Sequence, residues 1–523
     1  MRARQALLLG IVFLGCKAKG DEPALALVRA APQSAASAPA VAAAVDPVGL
    51  DGSYRAAAAR ETAQPRVFAK ALRAWIFAQP SAAAPKLGYL RAGSSVPTSG
   101  KAAGSEGCPG GFYPVRPLGF VCIGPTATLS DTDEVVRATR DYPPNFGRKL
   151  PYIYGTVRRP GPVYSRLPTA AELGHAEADL EQRMQTWLTA EGEVGASYAG
   201  FVWLGRPGEL PDPARAWAER QSDPVPDGLQ GGLVPQIRLT SSERASDVVF
   251  ESMRPKVGYS LLYTLLHEGR RYGIGTDLSV VPTDRLRPIQ GSDFHGVEIG
   301  KDIELPFAFV RREDARLYRY EQKHLSEASP APYRSAIKLT GKQQFFRGRL
   351  HFETKDGLWL SDRDASRVDP AKRMPGWGKN GERWLDVNIT KQVLIAYDGE
   401  KPVFATLISS GEAGLEDHEH TTATKRGIFR IHTKFVTATM SSTELGEEFE
   451  LRDVPYVQYF DHEGYALHGA YWHDRFGIPK SHGCINLAPE DARRIFYWTE
   501  PRVPVGWHGA LLPLKGTVLF VHP

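Results

Sequence analysis

Apolar positions fall in short runs along most of this chain, and their periods predict a mainly β protein with few helices. Trp384-Leu385-Asp386-Val387-Asn388-Ile389 and Gln392-Val393-Leu394-Ile395-Ala396-Tyr397 alternate like paired strands joined by a short polar turn. Asp398-Gly399 reads as a hairpin turn into the apolar run Pro402 to Gly411. Pro489-Glu490-Asp491 puts a proline in the first turn, and acids at the positive end, of a helix running to about Trp498. Thr517 to Val521 reads as a last strand. Upstream, Ala74 to Phe77, Leu87 to Gly93, Gly110 to Val115 and Gly119 to Cys122 are apolar-aromatic runs cut by Gly and Pro, the pattern of a small all-β unit over 66–128. Between these parts, Leu173, Ala176, Leu180, Met184 and Trp187/Leu188 recur at helical spacing after Pro168, which predicts one amphipathic helix over Thr169 to Leu188. The remaining middle, with Leu261 to Leu266, Gly273 to Val281 and Phe307 to Val310, reads as strands, so 140–370 is expected to be an α+β region.

The first residues have a different pattern. Arg2 and Arg4 precede a short apolar core, Ala6 to Leu14, too short to span a bilayer, so 1–15 reads as a secretion signal. Residues 16–65 include Pro32 to Val45, nearly all Ala, Ser and Pro, which cannot bury a core and read as a tether. At 523 residues the chain is too long for one core and is expected to be multidomain. A formal charge of +5 is small for this length and gives no support to a nucleic-acid partner.

Candidate chemistry concentrates in His468-Gly469-Ala470-Tyr471-Trp472-His473 and Ser481-His482-Gly483-Cys484-Ile485-Asn486. Cysteine attacks as the thiolate and needs a neighbour that takes its proton, which an imidazole does near working pH. Gly483 before Cys484 lets two backbone amides approach one developing oxyanion. By residue type alone, a buried inert thiol and a zinc site compete with the nucleophile reading.

Ser-His-Gly-Cys-Ile-Asn preceded by His-Gly resembles the signature of the L,D-transpeptidase (YkuD-type) catalytic domain, here expected over 383–523. Thr424-Lys425-Arg426-Gly427-Ile428-Phe429-Arg430-Ile431 is similar to a second family segment, with Lys425 replacing the usual Pro. The resemblance implies a β-sandwich with a short helix after the cysteine. It implies Cys484 as nucleophile, His468 as general base and acid, and the Gly469 carbonyl as the group that orients His468. The Gly483 amide is expected at the oxyanion, Ser481, His482 and Asn486 fill the other motif positions, and Tyr471, Trp472 and His473 are expected to meet substrate. The implied reaction is peptidoglycan cross-linking through a thioester, with stem peptides as partners and no metal or organic cofactor. The same residues would serve an L,D-carboxypeptidase or other hydrolase, and a wall-binding scaffold is the non-enzymatic alternative. His418 and His420, in the polar stretch Glu412 to Thr422, are expected in a solvated lid rather than at a metal.

The order of runs in 66–128 resembles a bacterial SH3-like barrel, and 305–365 is expected to hold a second. Phe13-Leu14-Gly15-Cys16 resembles a bacterial lipobox, which implies lipidation at Cys16, a membrane anchor and a periplasmic location. Of four cysteines, setting aside an anchor and a nucleophile leaves Cys108 and Cys122, expected as a disulfide in an oxidising compartment. A monomer is expected.

Overall fold

The computed structural model describes residues 64–183, 220, 237, 248–267, 270–346, 348–442, 449–511 and 516–523. The secretion signal, Cys16 and nearly all of the tether lie outside these residues, as do Met184 to Leu188. The protein is mainly β.

Two sheets build the C-terminal part. In the first, strand Arg383–Asn388 pairs antiparallel with Val393–Asp398, which pairs with Lys401–Ser409. On its other side Arg383–Asn388 runs parallel to the last strand, Val518–His522, which takes Gly427–Arg430 as an edge. In the second, Thr433–Ser442 pairs with Phe449–Tyr459, then come Ala466–Gly469 and Ile485–Leu487, and the last of these joins the end of Lys401–Ser409. Leu385, Val387, Leu394 and Phe404 of the first sheet meet Val436, Tyr456, Leu467 and Ile485 of the second in one buried cluster, completed by Ala492, Ile495 and Phe496 of the helix.

That helix, Pro489–Trp498, has Glu490 and Asp491 in its first turn. It is fastened at both ends by buried charged groups. Asp491 accepts the Gly296 N–H at 2.9 Å and the Thr406 hydroxyl. At the other end the Lys434 ammonium donates to the carbonyls of Phe496 and Thr499, the latter at 3.0 Å, so a cation meets the negative end of the helix.

Strand Val393–Asp398 is buried on both faces up to Tyr397. Leu394 and Ala396 point into the cluster above, while Val393, Ile395 and Tyr397 face Phe294, Phe307, Phe309 and Val368. The upstream chain covers the face that would otherwise be solvated.

No sheet among the described residues closes into a barrel, so the SH3-like barrels expected at 66–128 and 305–365 are not seen. Strands of the first segment divide between a small sheet ordered Ser95–Pro97, Arg66–Ala69, Ala127–Thr128 and a separate ladder of Ala74–Phe77 with Lys86–Leu90 and Phe120–Cys122. Lys86–Leu90 then pairs with Gly509–Leu511, which pairs with Thr433–Ser442, so this ladder is continuous with the C-terminal sheet. Cys108 and Cys122 are joined by a disulfide with Cα atoms 5.8 Å apart. Residues 307–368 form an open seven-stranded sheet ordered His324–Pro330, Arg316–Glu321, Trp359–Ser361, Arg349–Thr354, Ala336–Phe346, Phe307–Val310, Ala365–Val368.

The helix predicted over Thr169 to Leu188 is broken at Glu177. Its first part runs Ala170–Ala176 under a Thr169/Glu172 capping box, and helical backbone resumes over 180–183. The Glu177 carboxylate turns inward, accepting from Arg270 at 2.7 Å, from Tyr164 at 2.7 Å and from Arg285 at 2.5 Å. A buried carboxylate is stable only with such partners, and reaching them breaks the helical turn. The middle is itself joined to the C-terminal sheet, because Val257–His267 runs parallel to the start of Phe449–Tyr459.

Asp453 lies at the centre of these junctions, buried with φ +51°. It pairs with Arg91 of the N-terminal segment, Thr437 donates to it at 2.7 Å, and Ser260 and Thr276 of the middle donate to it, Thr276 at 2.6 Å. Burial alone would raise its pKa. The Arg91 charge and these donors instead hold it well below the usual carboxylate range.

Candidate active site

The site forms where two short strands meet in parallel. Ala466–Gly469 and Ile485–Leu487 pair with Leu467 opposite Ile485, His468 opposite Asn486 and Gly469 opposite Leu487. Cys484 immediately precedes the second strand, two residues from Asn486, so the parallel register carries thiol and imidazole to neighbouring positions. Cys484 is 1% exposed and His468 2% exposed.

The His468 Nδ1 lies 3.5 Å from the Gly469 carbonyl, a long contact whose only donor is the ring N–H. It favours the tautomer with the proton on Nδ1 and the lone pair on Nε2. Burial pushes His468 down to about 4, so the imidazole is neutral at pH 7 and can accept a proton. Trp472, half-buried, lies with its ring 5.6 Å from that of His468.

A tight turn shapes the cysteine loop. Ser481 Oγ donates to the Cys484 carbonyl and accepts the Gly483 N–H at 3.2 Å. The Gly483 amide, expected at an oxyanion, is therefore bonded to Ser481 in this state. Gly483 has φ +116°, and a Cβ there would stand 2.8 Å from Tyr465 Cε1, so both backbone and space require glycine. Ser410 anchors the loop from outside, its carbonyl accepting the N–H groups of Lys480 at 2.8 Å and Ser481 at 3.0 Å. The His482 ring lies 5.5 Å from that of Phe449.

His473 is drawn into the site through Asn486, at 2.9 Å from its Nε2. Its Nδ1 accepts the Arg475 N–H at 3.2 Å, which fixes the proton of the neutral ring on Nε2. The Asn486 group that can face a donor is its amide oxygen, which has no hydrogen-bond partner when the nitrogen is turned towards the ring. Burial first, and then the charges of His468, Lys480, Arg475 and Arg334, push His473 down to about 3.

Tyr471, expected at substrate, is instead a core residue. It is buried, its hydroxyl donates to the Arg452 carbonyl at 3.2 Å, and its ring lies 4.5 Å from that of Tyr154. In the polar loop, Asp417, Glu419 and His420 are exposed with ligand atoms within 4.8 Å of one another, whereas the His418 carbonyl accepts from Tyr465. Lys425, at the family's proline position, pairs with Asp461 at 3.0 Å and Glu463 at 3.2 Å. Sequence reading missed Tyr465, Ser410, Asp474 and Arg334. Only Asp474, next to His473, lies in a stretch where local sequence could have drawn attention to it.

Two sheets over one core, with a buried histidine on one strand and a buried cysteine just before the parallel strand beside it, define a cysteine–histidine centre in a β framework. Residues 382–506 match the L,D-transpeptidase catalytic domain family, YkuD. No curated protein matches the chain. Among solved structures, the chain is similar to the catalytic domain of the Enterococcus faecium L,D-transpeptidase, at 26% identity over 27% of this chain and 98% of that one, with TM-score 0.22. It is also similar to a mutant of the Enterococcus faecium L,D-transpeptidase, at 25% identity over 27% of this chain and 50% of that one, with TM-score 0.21. The match thus spans half of that longer chain. An L,D-transpeptidase from Mycobacterium smegmatis is 17% identical over 40% of this chain and 78% of its own, with TM-score 0.22.

Proposed function

We propose that this protein is an exported, lipid-anchored, periplasmic enzyme that cross-links peptidoglycan stem peptides through a thioester on Cys484. The observation that carries this reading is the parallel register of Ala466–Gly469 with Ile485–Leu487, which puts His468 opposite Asn486, two residues from Cys484, within the family-matched segment. The Cys484 thiol gives its proton to His468 Nε2 and the sulfur attacks the carbonyl before the terminal D-alanine of a tetrapeptide stem. The tetrahedral intermediate collapses to a thioester as His468 returns the proton to the departing amine. An amine from a neighbouring stem then displaces the thiol and forms the cross-link. For Gly483 to bind the oxyanion, its N–H must exchange Ser481 Oγ for the substrate oxygen. Because both reacting side chains are buried, the donor peptide has to displace covering groups, and the half-buried Trp472 ring lies 5.6 Å from that of His468.

The test is intact-protein mass spectrometry after exposure to a carbapenem, which offers a strained acyl group to an activated thiolate. One adduct mapped to the Ser481–Leu487 peptide, absent from Cys484→Ser, is expected. Folded protein with no adduct, or with an adduct elsewhere, overturns the reading. Incubation with disaccharide-tetrapeptides is expected to give dimers; release of free D-alanine without dimers would make the enzyme a hydrolase.

A further inference from the structure

We infer that Arg334, in the turn before strand Ala336–Phe346 of the seven-stranded sheet, is a positioning residue for the chemistry of His468 and Cys484. This rests on the function proposed above. Arg334 adopts φ +64°, uncommon for a residue with a side chain, and its guanidinium reaches out of its own sheet to the loop between His468 and Cys484. Nη1 donates to Asp474 Oδ2 at 2.8 Å, Nη2 lies 2.7 Å from Asp474 Oδ1, and Nη2 also donates to the Asp474 carbonyl. Both side chains are nearly closed to solvent, at 8% and 3%. One guanidinium nitrogen bonds the carboxylate and the other bonds the carbonyl of the same residue, so this pair ties side chain and backbone together and fixes the backbone at Asp474.

The contacts continue to the site. The Arg334 guanidinium lies 5.5 Å from the centre of the Phe294 ring, and Phe294 stacks on Phe476 at 6.2 Å with an interplanar angle of 21°. Phe476 lies 5.1 Å from the His473 ring, and His473 is 2.9 Å from Asn486, the residue opposite His468 in the parallel register. Arg334 also lies among the cations that keep His473 neutral. Without it, Asp474 is a buried carboxylate lacking its cation. The loop must then shift to hydrate it, taking His473 and Asn486 along.

The experiment measures carbapenem acylation per folded molecule in wild type, Arg334→Ala, Asp474→Asn and the double variant Arg334→Ala/Asp474→Ala, with concentration varied. Misplacement of reacting groups by a fraction of an ångström to an ångström lowers a limiting rate by about 10- to 100-fold, and that loss is expected in Arg334→Ala with the half-saturation concentration changed little. The double variant should be no slower than Arg334→Ala, because both changes open the same clamp. Arg334→Lys should restore part of the rate, and the His473 ring should titrate at higher pH in Arg334→Ala by NMR. Arg316→Ala, which opens an exposed pair with Glu327 in the same sheet, should acylate at the wild-type rate. If Arg334→Ala fails to fold, the near-isosteric Asp474→Asn must show the loss. Wild-type limiting rates in a folded Arg334→Ala or in Asp474→Asn, with only a lowered melting temperature, would overturn the inference and leave the functional proposal standing. An unacylated wild type would remove both.

Discussion

His468 and His473 are both buried and both neutral, yet their hydrogen bonds give them different capacities. His468 has its Nδ1 directed at a carbonyl, which leaves Nε2 able to take a proton. His473 has Nδ1 occupied by the Arg475 N–H and its Nε2 proton directed at Asn486, so no lone pair is open to the thiol. His468→Ala is therefore expected to slow acylation of Cys484 by about 10²–10⁴-fold, the usual worth of a positioned general base. His473→Ala should act through the position of Asn486 and lose less. Stopped-time mass spectrometry on the two variants checks the order, and a reversed order would move the base to His473. Much of this was legible from the His-Gly and Ser-His-Gly-Cys-Ile-Asn segments alone, because residue type and spacing carry that chemistry. Tyr471 misled because a tyrosine beside reactive groups reads as a contact, while its partner Tyr154 is more than three hundred residues away. Arg334 was invisible for the same reason: nothing in the local sequence distinguishes it from arginines that stay at the surface.

At the scale of elements, the helix Pro489–Trp498 packs against Phe449–Tyr459 and the histidine-side strand Ala466–Gly469, and its end charges were only half legible. The first-turn proline and acids could be read directly. Lys434 could not, since it comes from strand Thr433–Ser442 and meets the helix only in the fold. Burial pushes Lys434 down to about 7, against the pull of Glu500, so the ammonium is retained with difficulty. Lys434→Met keeps the length and leaves the Phe496 and Thr499 carbonyls without their donor. A loss of about 1–3 kcal/mol in guanidinium unfolding is expected, and an unchanged midpoint would show that the helix end does not need the cation. The same limit explains the missing barrels. Short apolar runs in 66–128 specify strands, but the partner of Lys86–Leu90 is Gly509–Leu511, and pairing over such a separation leaves no local pattern.

For the whole molecule, the junction at Asp453 decides whether these parts unfold together. Arg91, Ser260, Thr276 and Thr437 come from three separated stretches and converge on one carboxylate. Asp453→Asn keeps the shape and leaves Arg91 buried without its counter-charge, at a cost of about 3–5 kcal/mol. One cooperative transition at lower denaturant is expected, monitored by tryptophan fluorescence and by far-UV circular dichroism together. Two separated transitions in the wild type would show instead that the segments fold independently.

The buried histidines also set how the molecule responds to acid. Burial lowers His468 to about 4 and, with neighbouring cations, His473 to about 3; burial and the Arg91 charge take His508 to about 3. An unfolded histidine titrates near 6.5, so between about pH 6.5 and 4 each of these binds a proton on unfolding. Their stabilising effect is present above pH 6.5 and is lost as pH falls. Asp491 opposes them: burial raises it to about 6 despite its bonds from Thr406 and Gly296, so near pH 5 it releases a proton on unfolding. Three protons taken up and one released leave a net uptake of about two. By linkage that makes stability fall by on the order of 3 kcal/mol per pH unit as pH drops through about 5. Melting temperature measured from pH 7.5 to 4.5 should therefore decline steeply below pH 6.5. Asp491→Asn removes the opposing group and should steepen the decline, whereas His508→Gln should flatten it. A flat profile, or a decline that Asp491→Asn makes shallower, would mean that these histidines are not held neutral by the fold.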